Sequence, residues 1–268
     1  MGNHPLILFS HAAAQGRRSA SFLCTHLASH GYVVAALDHS EMIAPELARR
    51  DGETEQEKLR RWDAVIASRV PDIRFLLDQM TTKIDDERIG LVGHSFGGWA
   101  VLATADVEPR LRSIVALAPA GASRLRPGIL PVTLTFAWQR KIPTLYLAAE
   151  NDVSLPLSGM YEVFARAPEP KRMVILRRAD HQHFLDNGEQ IHETFRTMPL
   201  SGDLAAIQKE MLPISELHSG EQAHAFTRAL TLAHMDATLK QNVEAQRWLA
   251  GDLATAFAAQ GIEVDVHR

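Results

Sequence analysis

Residues 87–100 read Glu87-Arg88-Ile89-Gly90-Leu91-Val92-Gly93-His94-Ser95-Phe96-Gly97-Gly98-Trp99-Ala100, and this stretch decides the fold. Ile89–Gly93 is a short apolar run of the kind buried on both faces of a parallel sheet, and Gly97–Ala105 continues with helical character. Between them stands G-x-S-x-G, in the strand–turn–helix setting that gives this motif its meaning. Such a tight turn needs Gly93 and Gly97, because side chains there would collide with the turn and the neighbouring strand; Gly98 adds a further close approach. The turn pushes Ser95 up into a cleft at a helix N-terminus, whose partial positive charge favours a developing oxyanion. Ser95 is therefore the candidate nucleophile.

Outward from this stretch, apolar strand-like runs alternate with helical patterns. The strand candidates are Leu6–Ser10, Tyr32–Leu37, Ile89–Gly93, Ser113–Leu117, Thr144–Ala149 and Met173–Leu176. Helices are expected over Ser19–His30, Glu55–Gln79, Gly97–Ala105 and Leu157–Ala165, with Gly31 as a C-terminal cap. Pro71 should begin or kink a helix rather than lie within one. The charged stretch Ser40–Ser68 reads as a solvated excursion over the sheet. After about residue 188 strand signals stop until Ile262–Val266, and two or three helices, notably Glu221–Leu239 and Val243–Gln260, fill the interval. The pattern specifies an α/β fold, a mainly parallel six-stranded sheet flanked by helices. No Pro/Gly-rich linker precedes the helical part (about residues 190–268), so residues 1–268 are expected to form a single domain.

Composition excludes several classes of function. Hydrophobic residues make up 46% and charged residues 22%, an ordinary globular balance. Lys and Arg number 28 against 32 Asp and Glu, so no cationic surplus exists to drive nucleic-acid binding. The single cysteine, Cys24, excludes an intramolecular disulfide and a cysteine-rich zinc site, and reads as a small buried hydrophobe. The start, Met1-Gly2-Asn3-His4-Pro5, has no signal-peptide n-region, and Leu6 argues against myristoylation of Gly2. No apolar run approaches the roughly 20 residues that span a bilayer. A cytoplasmic location is the expectation.

A serine hydroxyl needs a base, itself oriented by a carboxylate, and for a nucleophile on this turn the chain order is Ser, Asp or Glu, then His. Downstream of Thr144–Ala149 comes Glu150-Asn151-Asp152, with Asp152 favoured as the acid and Glu150 its rival. After Met173–Leu176 comes Asp180-His181-Gln182-His183-Phe184, which offers two histidines; spacing does not choose between His181 and His183. A His-x-His pair can signal a metal, but no further ligand cluster lies nearby, so no metal is expected. One oxyanion donor is the Phe96 N–H; the second should come from Ser10-His11-Ala12-Ala13, and the Ala13 N–H is assigned to it.

With these motifs in place, the chain resembles the α/β-hydrolases, in particular the dienelactone-hydrolase-like and platelet-activating-factor acetylhydrolase-like branch. The resemblance runs through Leu8-Phe9-Ser10-His11, Leu27–His39, Asp72–Asp78, Gly93–Gly98 and His181-Gln182-His183-Phe184, roughly residues 5–190. It implies that the first histidine of the last motif, His181, is catalytic, with His183 the alternative base or a pocket residue. It also implies that no cofactor is used. Two departures stand out. Ala12 occupies a position that is usually glycine, which would cost on the order of 1 kcal/mol if φ is positive there. The family's leading antiparallel hairpin also has no counterpart, so Leu6–Ser10 should be an interior strand of a naturally shorter sheet, or of a chain that begins upstream.

The expected function is cleavage of small to medium carboxylic esters by Ser95, Asp152 and His181. Alternatives are a thioester, lactone or amide bond cut by the same triad, or a non-catalytic binding protein. The expected partner is a small-molecule ester; the sequence does not specify the oligomeric state. Between Leu117 and Thr144, Pro119, Pro127, Pro131 and Pro143 suit a compact loop rather than a helical cap. Phe136, Trp138, Leu155 and Met42 are candidate pocket walls, though core packing is the commoner role for each; Trp99 is expected in the core.

Overall fold

The computed structural model describes residues 4–80, 85–124 and 126–268. Met1 and Gly2, on which the targeting expectations rest, lie outside these residues.

In order, the elements are β1 (Pro5–Ser10), α1 (Ser21–Ser29), β2 (Val33–Ala36), α2 (Ser40–Ile43), α3 (Glu55–Met80), β3 (Asp85–His94), α4 (Phe96–Thr104), β4 (Leu111–Leu117), β5 (Thr144–Ala149), α5 (Leu157–Arg166) and β6 (Lys171–Leu176). There follow α6 (Gly188–Thr197), α7 (Gly202–Gln208), α8 (Gly220–Leu239), α9 (Val243–Ala250), α10 (Leu253–Ala258) and β7 (Val264–His267). The sheet order is β2-β1-β3-β4-β5-β6-β7, with every pairing parallel except the antiparallel β6–β7 pair.

Alternation of side chains along each strand divides the core into two layers. Leu6 and Leu8 of β1 face α3, α4 and α5, while Ile7 and Phe9 face α1 and α8. β1 lies between β2 and β3, an interior strand as expected, and β2 is the outer strand among the described residues. Register brings the strand ends level: Ser10 pairs with Gly93, His94 with Leu117, and Ala149 with Leu176. The loops after β1, β3, β5 and β6 therefore converge along one edge, where open α/β sheets bind their ligands.

Five expectations need correction. The sheet has seven strands rather than six, because Val264–His267 returns to pair beside β6. The expected helix Val243–Gln260 is two, since Gly251 ends α9 and the Asp252 side chain accepts from the Thr255 N–H to start α10. Five helices, rather than two or three, occupy the region after residue 188 among the described residues. Pro71 lies inside α3, although it deprives the Ala67 carbonyl of its helical donor. The buried stripe Val65, Arg69, Ile73 and Leu77 runs straight across the proline, so packing against the sheet holds the helix together there.

The charged stretch is not wholly solvated either. It folds partly as α2 and the start of α3, and Glu41, Glu53 and Arg61 expose 10–12% of their side chains in ion pairs. Between β4 and β5 the described residues contain no helix, as the prolines imply. Trp99, Trp138 and Leu155 are buried, Phe136 packs edge-on to Trp138, and Met42 is exposed on α2. Among the described residues no helix is long and apolar enough to cross a membrane.

Candidate active site

Ser95 joins β3 to α4 with φ 57° and ψ −117°, a region that side-chain-bearing residues rarely enter. Three hydrogen bonds hold it there. Its N–H donates to the Leu117 carbonyl (2.9 Å), and its own carbonyl accepts from Trp99 and Ala120 N–H groups (3.0 Å each). The surrounding glycines are sterically required. A Cβ at Gly93 would run into the Gly97 carbonyl, and one at Gly97 into the Ser10 and His11 carbonyls.

Asp152 and His181 meet in a buried pair. His181 Nδ1 lies 2.6 Å from Asp152 Oδ2, and Asp152 Oδ1 accepts from the Ser154 (2.9 Å) and Leu155 (2.7 Å) N–H groups. Burial alone would depress the His181 imidazole. The Asp152 charge and hydrogen bond, helped by Asp180, outweigh it and hold His181 above its ordinary value. Burial also pushes the Asp152 carboxyl up, opposed by His181 and the Leu155 N–H. The rival acid lies elsewhere: Glu150 pairs with Arg177 at 3.1 Å and accepts from the Arg178 N–H.

His183 is only two residues from His181, but both of its ring nitrogens are taken. Nδ1 accepts from the Asp180 N–H (3.0 Å), and Nε2 donates to the His218 carbonyl (3.0 Å). Burial, opposed by these backbone bonds, lowers its pKa. Asp180 caps the 3₁₀ turn His181–Phe184 by accepting from the Gln182 N–H, and lies 2.9 Å from His192 Nδ1.

On the opposite side, Ala12 is buried and is not among the residues with positive φ. The strain foreseen for it is therefore absent; Ala14, two residues on, carries φ 57° instead. Among the described residues, no carbonyl or side chain accepts from the Ala13 or Phe96 N–H. No group of three or more His, Cys, Asp or Glu is placed to hold a metal ion among the described residues.

Two further residues at the site carry no role in the motif reading. His94 is fully buried; its Nε2 donates to the His181 carbonyl (3.1 Å), its ring lies 4.7 Å from that of His181, and burial holds it well below the ordinary histidine range. Its place inside the serine motif was the signal. Arg69 is fully buried beneath the loop after β1, and its signal was an arginine on the apolar stripe of α3.

Comparison with known proteins follows the same lines. A family model described as PET hydrolase-like matches residues 10–195. Platelet-activating factor acetylhydrolase of Cavia porcellus is 24% identical over 241 residues, covering 76% of this chain and 52% of that protein. Cutinase est1 of Thermobifida alba is 25% identical over 171 residues, covering 63% of this chain and 50% of its own. A solved structure of a ferulic acid esterase from Streptomyces cinnamoneus superposes with a TM-score of 0.63 at 25% identity, covering 90% of this chain and 69% of that one. The chain spans about half the length of the acetylhydrolase and the cutinase.

Proposed function

The chain belongs to the PET hydrolase-like family of α/β-hydrolases, and from that premise we propose that it is a serine hydrolase cleaving small to medium carboxylic esters. Ser95 Oγ attacks the ester carbonyl while His181 Nε2 takes its proton and Asp152 stabilises the resulting imidazolium. The Ala13 and Phe96 N–H groups receive the oxyanion. Collapse of the tetrahedral adduct breaks the C–O bond, His181 passes the serine's proton to the departing alkoxide oxygen so that an alcohol leaves, and Ser95 is left acylated. Water, deprotonated by the same histidine, then releases the carboxylic acid and restores the serine.

The observation that carries this reading is the buried 2.6 Å Asp152–His181 pair on the loops after β5 and β6, on the same edge of the sheet as the strained turn at Ser95. The names of the relatives, an acetylhydrolase, a cutinase and a ferulic acid esterase, favour an ester as the scissile bond. A p-nitrophenyl ester series of increasing acyl length, run on wild type, Ser95→Ala, His181→Ala and His183→Ala, tests it. Loss of either Ser95 or His181 should lower kcat by at least ~10³-fold. Turnover abolished by His183→Ala but kept by His181→Ala would reverse the choice of base. Parallel thioester and amide substrates identify the bond class.

We also propose that the whole chain forms one domain. α8 packs on β3, β4 and β5, and β7 extends the catalytic sheet.

A further inference from the structure

Arg69 has no exposed surface, so its charge must be satisfied within the fold or the helix would not bury it. It is satisfied on three sides. Glu41 accepts from two of its nitrogens, Nη2 and, at 3.2 Å, Nε. Nη1 donates to the His11 carbonyl at 2.6 Å, and Nη2 reaches the Ala12 carbonyl at 3.5 Å, the outer limit of a hydrogen bond. The guanidinium carbon lies over the ring of Phe96, 4.2 Å from its centroid, and that ring stacks on Trp99 of α4.

These contacts converge on both oxyanion donors. The Ala12 carbonyl and the Ala13 N–H belong to one planar trans peptide, so they point in opposite directions. Holding that carbonyl inward aims the N–H outward. His11 Nδ1 donates to the same oxygen at 2.7 Å, and burial with the nearby Arg69 charge lowers His11 to about 4, so it stays neutral and keeps that tautomer. The other donor, the Phe96 N–H, sits on the residue whose ring Arg69 covers.

One turn further along α3, Asp72 binds His39 Nδ1 (3.1 Å), and His39 Nε2 binds Ser10 Oγ (2.8 Å) at the end of β1. These are the residue types of a hydrolytic triad, but Ser10 and His39 are fully buried and no substrate can reach them. They tether the strand end from which the loop springs.

We propose that Arg69, anchored by Glu41, is a positioning residue that sets the geometry of the oxyanion hole from beneath. This rests on the esterase reading above. Arg69 touches no substrate; it fixes the peptide that carries one donor and the side chain of the residue that carries the other. The effect belongs to the transition state, because the ester carbonyl needs these donors most when its oxygen carries charge.

The test compares wild type with Arg69→Met, Arg69→Lys, the double variant Arg69→Met/Glu41→Gln, and Val65→Ala. Val65 is buried on the same helix stripe and serves as a control for lost packing. Each is assayed for kcat and KM on p-nitrophenyl acetate, and for inhibition by an alkyl boronic acid, whose tetrahedral adduct occupies the hole. Arg69→Met should lower kcat and boronate affinity together by ~10–100-fold, with KM changed less than about threefold, because a small misplacement of donors is felt in the transition state. Arg69→Lys keeps the charge but not the planar fork and should fall between. Val65→Ala should keep kcat within about twofold, as a packing loss remote from the chemistry does. If Arg69→Met does not fold, the double variant, which leaves no unpaired carboxylate, is judged by the same criteria. A Ser95-dependent wild-type activity with unchanged kcat and boronate affinity in the Arg69 variants would overturn this proposal alone. A wild-type chain that hydrolyses no ester would overturn both it and the esterase reading.

Discussion

At the residue scale, chemistry turns on which partner each side chain meets. His181 and His183 share a type, a turn and nearly an address, yet one faces Asp152 from 29 residues away and the other the His218 carbonyl from 35. Spacing cannot separate them, because the partners arrive from other loops. The pairing makes a prediction about pH. A base must be neutral to take the serine proton, and His181 is held above its ordinary 6.5, so kcat/KM should rise with pH through a limb centred above that value. In Asp152→Asn the charge that raises it is gone and burial dominates. The limb should then move to lower pH while kcat drops by ~10⁴-fold, as the loss of an orienting carboxylate does. pH–rate profiles of the two proteins check this, and a limb that stays in place would count against the pair as the working base.

At the element scale, the serine turn, the loop after β1 and α3 form one mechanical unit. Gly97 lets α4 start against the Ser10 and His11 carbonyls, and any side chain there must push the two loops apart. Gly97→Ala should therefore cost about 3 kcal/mol or more, at the upper end of single substitutions, and abolish turnover in whatever fraction folds. Urea titration and an activity assay read both; near-wild-type stability would show that the approach is not obligatory. The strand–turn–helix was legible from glycine spacing, because Gly93 answers to the turn itself, even though Gly97 answers to the distant Ser10 and His11 carbonyls. α3 was legible only in part. Its period predicts a helix, and a proline inside it predicts a break, but the stripe from Val65 to Leu77 packs continuously and wins. Likewise Val243–Gln260 reads as one helix by pattern, but Gly251 ends α9 and the cap at Asp252 starts α10.

At the scale of the whole molecule, the sheet is covered on one face by α3, α4 and α5 and on the other by α1 and the helices from α8 onward. The family match ends at residue 195, yet Phe226, Leu230 and Met235 of α8 are wholly buried against the same strands that carry the site. One domain should therefore melt once. Thermal unfolding followed by far-UV circular dichroism and by loss of esterase activity should coincide, and Phe226→Ala should lower both midpoints together, for a cost of ~3–5 kcal/mol. Two separate transitions would show that the C-terminal helices fold on their own.

From the sequence alone the mainly parallel α/β architecture, the serine turn and the two loops that hold Asp152 and His181 were legible. Apolar runs and helical period rest on near neighbours, and the glycine spacing is a local pattern, although the space at Gly97 is claimed by the Ser10 and His11 carbonyls of a distant loop. Only the folded chain settles which histidine meets the carboxylate, that Ala12 avoids positive φ, that the C-terminal tail supplies a seventh strand, and that an arginine from α3 lies beneath the loop after β1. Each of these depends on groups 28 or more residues apart or on a backbone angle set by its surroundings. Burial makes such pairings obligatory, since a charge or polar group taken from water must find a partner, but which partner it finds is settled only when the chain has closed on itself.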